Sequence, residues 1–168
     1  MNLTKLFEMQ RTLDERIVKE KGMEGQDLLP NTVLALQIEL AEMINEWRGF
    51  KHWSSDQEPR RGKMITEAAD CLHFFLSIAR QMGLTSGSLY VYDIYLEDET
   101  SLLLTKLIVR VGEISTHRFT EGRYASFEQS WYLFINILEQ RLQIHEDDLY
   151  QAYLDKNEVN HKRQDTGY

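Results

Sequence analysis

The sequence predicts an all-α fold, a bundle of five or six main helices, and three observations support this. Only two prolines and nine glycines interrupt the 168 residues, and six methionines accompany many leucines, which favours long helices over strands. Apolar residues recur at three- and four-residue spacing through most of the chain. There is no internal repeat or low-complexity tract, so we expect a single helical domain over residues 1–168.

The first three helices have the clearest sequence signals. Apolar spacing predicts the first over about 3–21, and Gly22 follows its end. Pro30 is suited to the first turn of the second helix, which an apolar row extends to about residue 49. A third helix is predicted over about 63–82. A connection rich in polar residues separates the second helix from the third.

The second half of the chain is less regular. Residues 85–97 contain the run YVYDIY, which alternates like a strand but is too short and isolated to define a sheet. Ser126 and Gln129 have the spacing of a capping box and predict the start of the fifth helix. We expect the last three helices at about 98–117, 126–142 and 146–163.

Composition narrows the functional classes. With 27 acidic and 19 basic side chains the net charge is −8, which argues against a protein that coats the nucleic-acid backbone. No run of about 18 apolar residues is present, so we expect no membrane span. The N-terminal segment carries acids and lacks the apolar core of a signal peptide, which predicts a cytoplasmic protein. The single cysteine, Cys71, lies in an apolar run and is expected to be a buried thiol.

Two pairs of acids carry the strongest chemical signal. Glu39 and Glu42 lie three residues apart on the second helix, and Glu67 and Asp70 repeat this spacing on the third. Side chains at this spacing project about 60° apart on one face of a helix. If the two helices are neighbours, four carboxylates meet, and their repulsion either raises their pKa values or recruits cations. Carboxylates without matching histidines or cysteines favour Mg²⁺, with Mn²⁺ as the alternative.

These acids could instead be the solvated stripe of amphipathic helices. Two features favour a site. Apolar residues flank the acids of the second helix on both sides, so the charged sector is narrow. On the third helix Phe74 lies between the directions of Glu67 and Asp70, where its ring would suit a nucleobase beside metal-bound phosphates.

A row of hydrogen-bond donors lies along the last predicted helix. On a helical wheel its members project from one side, while Asp155, Glu158 and Lys162 occupy the other and already supply a solvated face. Such a row can bind phosphate and sugar oxygens. We call it the donor row, and its members are Tyr153, Lys156, Asn157, Asn160, Arg163 and Gln164.

The two acid pairs, separated by 24 residues, resemble the metal-binding signature of the all-α nucleoside triphosphate pyrophosphatases, which include the MazG-like enzymes and the dimeric dUTPases. The run from Lys156 to Tyr168 resembles the KN-x-x-N-x-x-RQ-x-x-GY ending of the dimeric dUTPases. Met9-Gln10 with Leu13-Asp14 resembles their base-reading segment, and the residues from Asp70 to Phe75 resemble the stretch after their last acid. Residues 85–143 correspond to a variable region of that family.

The resemblance implies the all-α NTP pyrophosphatase fold and the hydrolysis of dUTP to dUMP and pyrophosphate, which limits uracil in DNA and supplies dUMP. Glu39 is then the candidate base and a metal ligand, although the residues do not decide which acid takes the proton. The expected metal ligands are Glu39, Glu42, Glu67 and Asp70, and the expected cofactor is Mg²⁺, with Mn²⁺ as the alternative.

The same resemblance implies a set of substrate contacts. Lys156 and Arg163 are expected at the phosphates, and Asn157 and Asn160 at phosphate or deoxyribose. The amide of Gln10 offers both a donor and an acceptor to the edge of uracil. The other expected substrate contacts are Asp14, His73 and Phe74.

Two alternatives stay open. A MazG-like pyrophosphatase with other or broader nucleotide specificity shares the acids, so only Gln10, Phe74 and the C-terminal motif separate it from a dUTPase. A non-catalytic helical protein that binds a protein partner is the second. The resemblance also implies a homodimer, and we expect a small nucleotide substrate without direct binding of nucleic acid or membrane.

Overall fold

The computed structural model describes residues 1–167 of the chain. Within that range six α-helices and a short 3₁₀ helix at Ser86–Ser88 occur and no strand, so the all-α prediction is confirmed. The helices are α1 (Leu3–Glu20), α2 (Leu29–Trp47), α3 (Arg61–Gln81), α4 (Thr100–Thr116), α5 (Thr120–Gln140) and α6 (Glu146–Asp165). Tyr168, the last residue of the C-terminal motif, lies outside the described residues. In residues 1–167 no helix combines the length and apolar character that a bilayer crossing needs.

The ends of α1, α2 and α3 lie within about two residues of their predicted positions, because the stop signals act locally. Gly22 adopts a φ of +63° just after α1, a conformation that favours glycine. Pro30 lies in the first turn of α2, where its missing N–H is not needed. Arg48 ends α2 in the left-handed region, and its buried side chain pairs with Asp56 at 2.9 Å.

The predicted start of α5 at Ser126 is wrong, because the helix begins six residues earlier at Thr120. Ser126 is buried inside α5, and its hydroxyl donates to Oε2 of Glu113 on α4 at 3.4 Å instead of capping its own helix. A serine followed three residues later by glutamine therefore does not mark a helix start here.

Residues 89–97 form no strand, because α5 takes the hydrogen bonds that a strand would need from a neighbour. Asn136 Nδ2 donates to the carbonyl of Tyr92 at 3.0 Å, and its Oδ1 accepts from the amide of Ile94 at 3.2 Å. Trp131 Nε1 donates to the carbonyl of Leu89 at 3.1 Å. The strand-like alternation thus belongs to an extended segment held along a helix.

Helix α3 lies at the centre of the packing and contacts α1, α2 and α6, while α4 packs on α5 and α2. Most of its faces are buried, and the alanines at 68, 69 and 79 have no exposed surface, which lets neighbouring helices approach closely. Cys71 is a free, buried thiol, as predicted. Because α1, α2 and α6 all contact α3, their polar residues can meet along its length.

Candidate active site and metal centre

Three carboxylates from two helices converge on one point. One oxygen each from Glu39 on α2 and from Glu67 and Asp70 on α3 lie within 4.8 Å of one another. The two α3 acids share a face because they are three residues apart, and the packing of α2 on α3 supplies the third. Three oxygens at this separation can bind a common cation.

The electrostatics of this cluster reflect burial and repulsion between like charges. Burial, followed by the charges of Asp70, Glu42 and Glu67, raises the pKa of Glu39 to about 7. The pKa values of Glu67 and Asp70 are raised as well, chiefly by burial. Positive charge on Lys156 opposes the rise at all three acids, but the pKa of each remains raised.

Glu42 does not belong to this group of three converging carboxylates. Its side chain is exposed, and it lines a neighbouring groove with Glu67 and Glu46. Its negative charge nevertheless raises the pKa values of Glu39, Glu67 and Asp70. Glu46, which the sequence did not single out as a ligand, pairs with Arg60 at 3.4 Å at the end of this groove.

The donor set fits a hard divalent cation. All the converging atoms are carboxylate oxygens. The nearest histidine in sequence, His73, is engaged elsewhere, because its Nδ1 lies 2.8 Å from Oε1 of Gln10. A site built from oxygen donors alone suits Mg²⁺ or Mn²⁺ better than zinc, which prefers nitrogen and sulfur ligands.

The donor row of α6 meets the acids through Lys156, whose Nζ donates to Oδ2 of Asp70 at 2.5 Å. The charge of Arg163 also lowers the pKa of Asp70. Asn157 is buried, and its Nδ2 has no hydrogen-bond partner among residues 1–167. This helix therefore brings cationic and amide donors beside the carboxylates.

A cleft of about 220 Å³ lies between α1, α2, α3 and α6. It brings together seven of the eight predicted substrate contacts with two of the acids, while buried Asn157 is not part of its lining. Acidic side chains thus lie along one part of the cleft, and hydrogen-bonding side chains line the rest. The predicted residues that line it are Gln10, Asp14, Glu39, Asp70, His73, Phe74, Lys156, Asn160 and Arg163.

One wall of this cleft is a buried polar network. Gln10 Nε2 donates to Oδ1 of Asp14 at 2.8 Å, and its Oε1 lies 2.9 Å from the hydroxyl of Tyr153. The ring of His73 stacks on that of Tyr153 with centroids 3.9 Å apart. Burial lowers the pKa of His73 to about 3, so its imidazole is neutral at neutral pH. Only 4% of His73 is exposed.

Both Ser77 and Gln164 line the cleft, although sequence reasoning gave Ser77 no role and Gln164 no individual substrate contact. Ser77 follows His73 by four residues and Phe74 by three, so helical spacing alone could have found it. Gln164 belongs to the donor row, and its Oε1 is buried without a partner in the described part of the chain. Arg80 on α3 donates to Asp14, and no sequence pattern indicated this contact, because it depends on the packing of α1.

A wider, mostly apolar groove of about 560 Å³ adjoins the cleft between α1, α2 and α3. Asp14, Ile17, Phe74 and Ser77 line both spaces. The ring of Phe74 thus lies at their boundary, where a flat apolar group entering from either side can pack on it.

Comparison with known protein families gives a match that covers nearly the whole chain. A family model described as dUTPase matches residues 2–168 of the chain. No match is found among curated proteins.

Proposed function

The chain belongs to the all-α dimeric dUTPase family, and on that premise we propose that carboxylates of α2 and α3 hold divalent metal ions at its active site. As a member of this family it is a hydrolase that acts on dUTP, a nucleoside triphosphate pyrophosphatase that forms dUMP and pyrophosphate. Residues 2–168 match the family as one stretch, which supports a single catalytic domain.

The observation that carries the proposal is the meeting of opposite charges in one cleft. Carboxylates of Glu39 and Asp70 line the same space as the cationic side chains of Lys156 and Arg163. A triphosphate needs both, since its negative oxygens require cations and the attacking water requires a base. The metal ligands in this proposal are Glu39, Glu42, Glu67 and Asp70, and Mg²⁺ is the expected ion with Mn²⁺ as the alternative.

When bound, the metal supplies positive charge that offsets the triphosphate oxygens. Glu39 is our candidate base, because its carboxylate lines the cleft beside Lys156 and Arg163, where the triphosphate is proposed to bind. The oxygen of the attacking water bonds to a phosphorus of the α–β linkage, and the water gives a proton to the Glu39 carboxylate. The P–O bond of that linkage breaks, and its electron pair stays on the oxygen of the departing phosphate. Lys156 and Arg163 stabilise negative charge that develops on the phosphates as pyrophosphate leaves.

The nucleoside is proposed to lie against α1 and α3. Gln10 and Asp14 present amide and carboxylate atoms there, and Phe74 offers an apolar ring. Asn157 and Asn160 are assigned to phosphate or deoxyribose contacts, because amide groups can bind either kind of oxygen. His73 lines the same wall and is assigned to a nucleoside contact.

A panel of nucleotides tests this function. Purified protein is incubated with Mg²⁺ and each of dUTP, dTTP, dCTP, dATP, dGTP and UTP, and pyrophosphate is measured. We expect rapid release from dUTP and little from the others. Comparable release from several nucleotides would indicate a MazG-like pyrophosphatase of broader specificity, and no release would indicate a non-catalytic interaction protein.

We propose that the enzyme works as a homodimer in the cytoplasm, where it limits uracil in DNA and supplies dUMP. Exposed apolar side chains on the neighbouring helices α2 and α4 support self-association, because Leu34 and Val109 are each more than half exposed. Sedimentation of Leu34→Glu is expected to give a monomer. Phe119→Ser, which removes an exposed aromatic ring near the start of α5, is the matched control and should leave the dimer intact.

A further inference from the structure

Residues 89–97 lie along α5 with one edge of their backbone hydrogen-bonded to that helix. Side chains of α5 bond the carbonyl of Tyr92 at 3.0 Å and both the N–H and the carbonyl of Ile94, at 3.2 and 2.7 Å. The N–H and carbonyl of Leu96 bond to side chains at the end of α5. These bonds fall on every second residue, which is the pattern of one edge of a β-strand. Side chains of α5 thus take the place of a neighbouring strand.

The opposite edge of this segment has no such partner. Neither the N–H nor the carbonyl of Val91, Asp93 or Tyr95 forms a hydrogen bond within residues 1–167. Val91 is 37% exposed and Tyr95 86%. In an extended chain, neighbouring residues direct their N–H and carbonyl groups to opposite edges, so these three residues present the unused one. An open edge of this kind can add a further extended chain through main-chain hydrogen bonds.

A groove of about 720 Å³ adjoins the segment, between α5 and the starts of α1 and α6. Val91 and Asp93 line this groove, and the half-buried apolar side chains of Leu3 and Ile135 lie in its wall. No residue that lines it also lines the 220 Å³ cleft of the proposed active site. A chain added at the open edge therefore has room for its side chains on a face of the protein away from that cleft.

The charged side chains of this groove are mostly acidic, and no lysine or arginine among residues 1–167 lines it. His145 lies 2.8 Å from Glu139, and the amino group of Met1 pairs with Glu146. Positive charge on a ligand is therefore favoured there. The acidic residues of the groove are Asp93, Glu139, Glu146 and Asp147.

The same charges disfavour a second copy of the chain at this edge. Two copies paired around Asp93 would bring like charges opposite each other, and each chain carries a net charge of −8. A charged side chain at an exposed edge is also a common means by which proteins prevent pairing with their own copies. The occupant that fits both the open edge and the acidic groove is a basic chain of another protein.

We propose that the open edge of residues 89–97 and the adjoining groove form a docking site for a basic protein segment that binds in an extended conformation. The main chain of this segment bonds the N–H and carbonyl groups of Val91, Asp93 and Tyr95. Its apolar side chains enter the groove, and its basic side chains meet the acids. The site is separate from the one proposed for dUTP, so it adds an interaction surface to the enzyme.

Fluorescence anisotropy with two labelled peptides, KKVKVVKK and EEVEVVEE, tests the charge requirement. We expect saturable binding of the basic peptide alone at about 0.15 M salt, which largely screens non-specific attraction between exposed charges. Asp93→Lys should weaken this binding on the order of 10-fold. Glu24→Lys, in the exposed connection between α1 and α2, changes the net charge equally and should leave the binding unchanged. Turnover of dUTP by Asp93→Lys should match the wild type, and Glu139→Lys replaces this variant if it does not fold.

Hydrogen exchange of single amides, followed by NMR, tests the open edge. In the free protein we expect slow exchange at Ile94 and Leu96, which donate to α5, and fast exchange at Val91, Asp93 and Tyr95. Saturation with the basic peptide should slow exchange at these last three amides at least about 10-fold, because each then donates to the bound chain.

Equal binding of the two peptides, or no binding of the basic one, would overturn the proposal. Binding that leaves the amides of Val91, Asp93 and Tyr95 in fast exchange would also do so, since it would show charge attraction without an added strand. Protection of these amides in the free protein that grows with its concentration would assign the edge to a second copy instead. The peptide measurements use no nucleotide, so a failure of the proposed dUTP hydrolysis is distinguishable from a failure of this docking site.

Discussion

Nζ of Lys156 on α6 lies 2.5 Å from Oδ2 of Asp70 on α3, and their side chains are only 18% and 9% exposed. This pair joins the two motifs that stand 86 residues apart in the chain. The lysine opposes the rise in the pKa values of Asp70, Glu39 and Glu67. One cation of the chain thus already lies where negative charge is most concentrated, next to the place proposed for the phosphates.

Replacing Lys156 by glutamine should lower kcat/KM for dUTP on the order of 100-fold, because the cleft loses a cation that stabilises developing phosphate charge. Pyrophosphate release under saturating Mg²⁺ measures this. Lys162→Gln is the matched control, since that lysine pairs with Glu158 on the exposed side of α6 and should retain wild-type kinetics. Equal losses in both variants would mean that α6 contributes only general charge.

The raised pKa of Glu39 predicts how stability depends on pH in the metal-free protein. Its folded pKa of about 7 exceeds the usual value of 4.5, so between these values the folded state binds more protons than the unfolded state. Stability from this group is therefore present below pH 4.5 and is lost as pH rises through 7. In EDTA, Glu39→Gln should be more stable than wild type at pH 8, on the order of 1 kcal/mol after solvent screening, and no more stable at pH 4.

Thermal or urea unfolding across this pH range makes the measurement. Glu24→Gln, in the exposed connection between α1 and α2, serves as the control and should follow the wild-type curve. A Glu39→Gln protein that is less stable than wild type at pH 8 would contradict the assigned electrostatics.

Metal binding should release protons, because a cation beside Glu39 favours its ionised form. At pH 6 the carboxyl is largely protonated, so Mg²⁺ is expected to displace up to about one proton, and at pH 9 almost none. Calorimetry in two buffers of different ionisation enthalpy counts these protons. Glu39→Gln should remove most of the difference in binding heat between the two buffers. Identical heats in both buffers for the wild type at pH 6 would argue against Glu39 as a ligand.

Removing the donor row should abolish turnover. A chain that ends after Asp155 lacks Lys156, Asn157, Asn160 and Arg163, and we expect it to release no pyrophosphate from dUTP. A chain that ends after Gln164 keeps the row and loses the ion pair between Arg16 and Asp165. The longer chain should therefore stay active, and normal turnover by the shorter one would show that the row is only a solvated surface.

Much of the fold was predictable because its signals are local. Apolar periodicity and residues such as Gly22 and Pro30 define α1 and α2 within a few positions, and helical spacing alone puts Glu67 and Asp70 on one face. The start of α5 was not predictable in this way. The hydroxyl of Ser126 has two possible partners, its own backbone or Glu113, and only the packing of α4 decides between them.

The same distinction between local signals and contacts made by packing applies to the site. The sequence indicated the acids and the donor row, but it could not show that Lys156 reaches Asp70 or that Gln10 reaches His73 from 63 residues away. Such contacts depend on the way α1 and α6 pack on α3. Arg80 was missed for this reason, since an arginine near a helix end is ordinary until its partner Asp14 is known.

Mg²⁺-dependent release of pyrophosphate from dUTP, compared between wild type and Asp70→Asn, tests the central claim most directly. Circular dichroism of both proteins first establishes that their helix content is equal, because asparagine keeps the size of the side chain while removing its charge. We predict rapid release by the wild type that EDTA abolishes, and no Mg²⁺-dependent release by Asp70→Asn. Full activity in Asp70→Asn, or wild-type activity that persists in EDTA, would contradict a metal site built on these carboxylates.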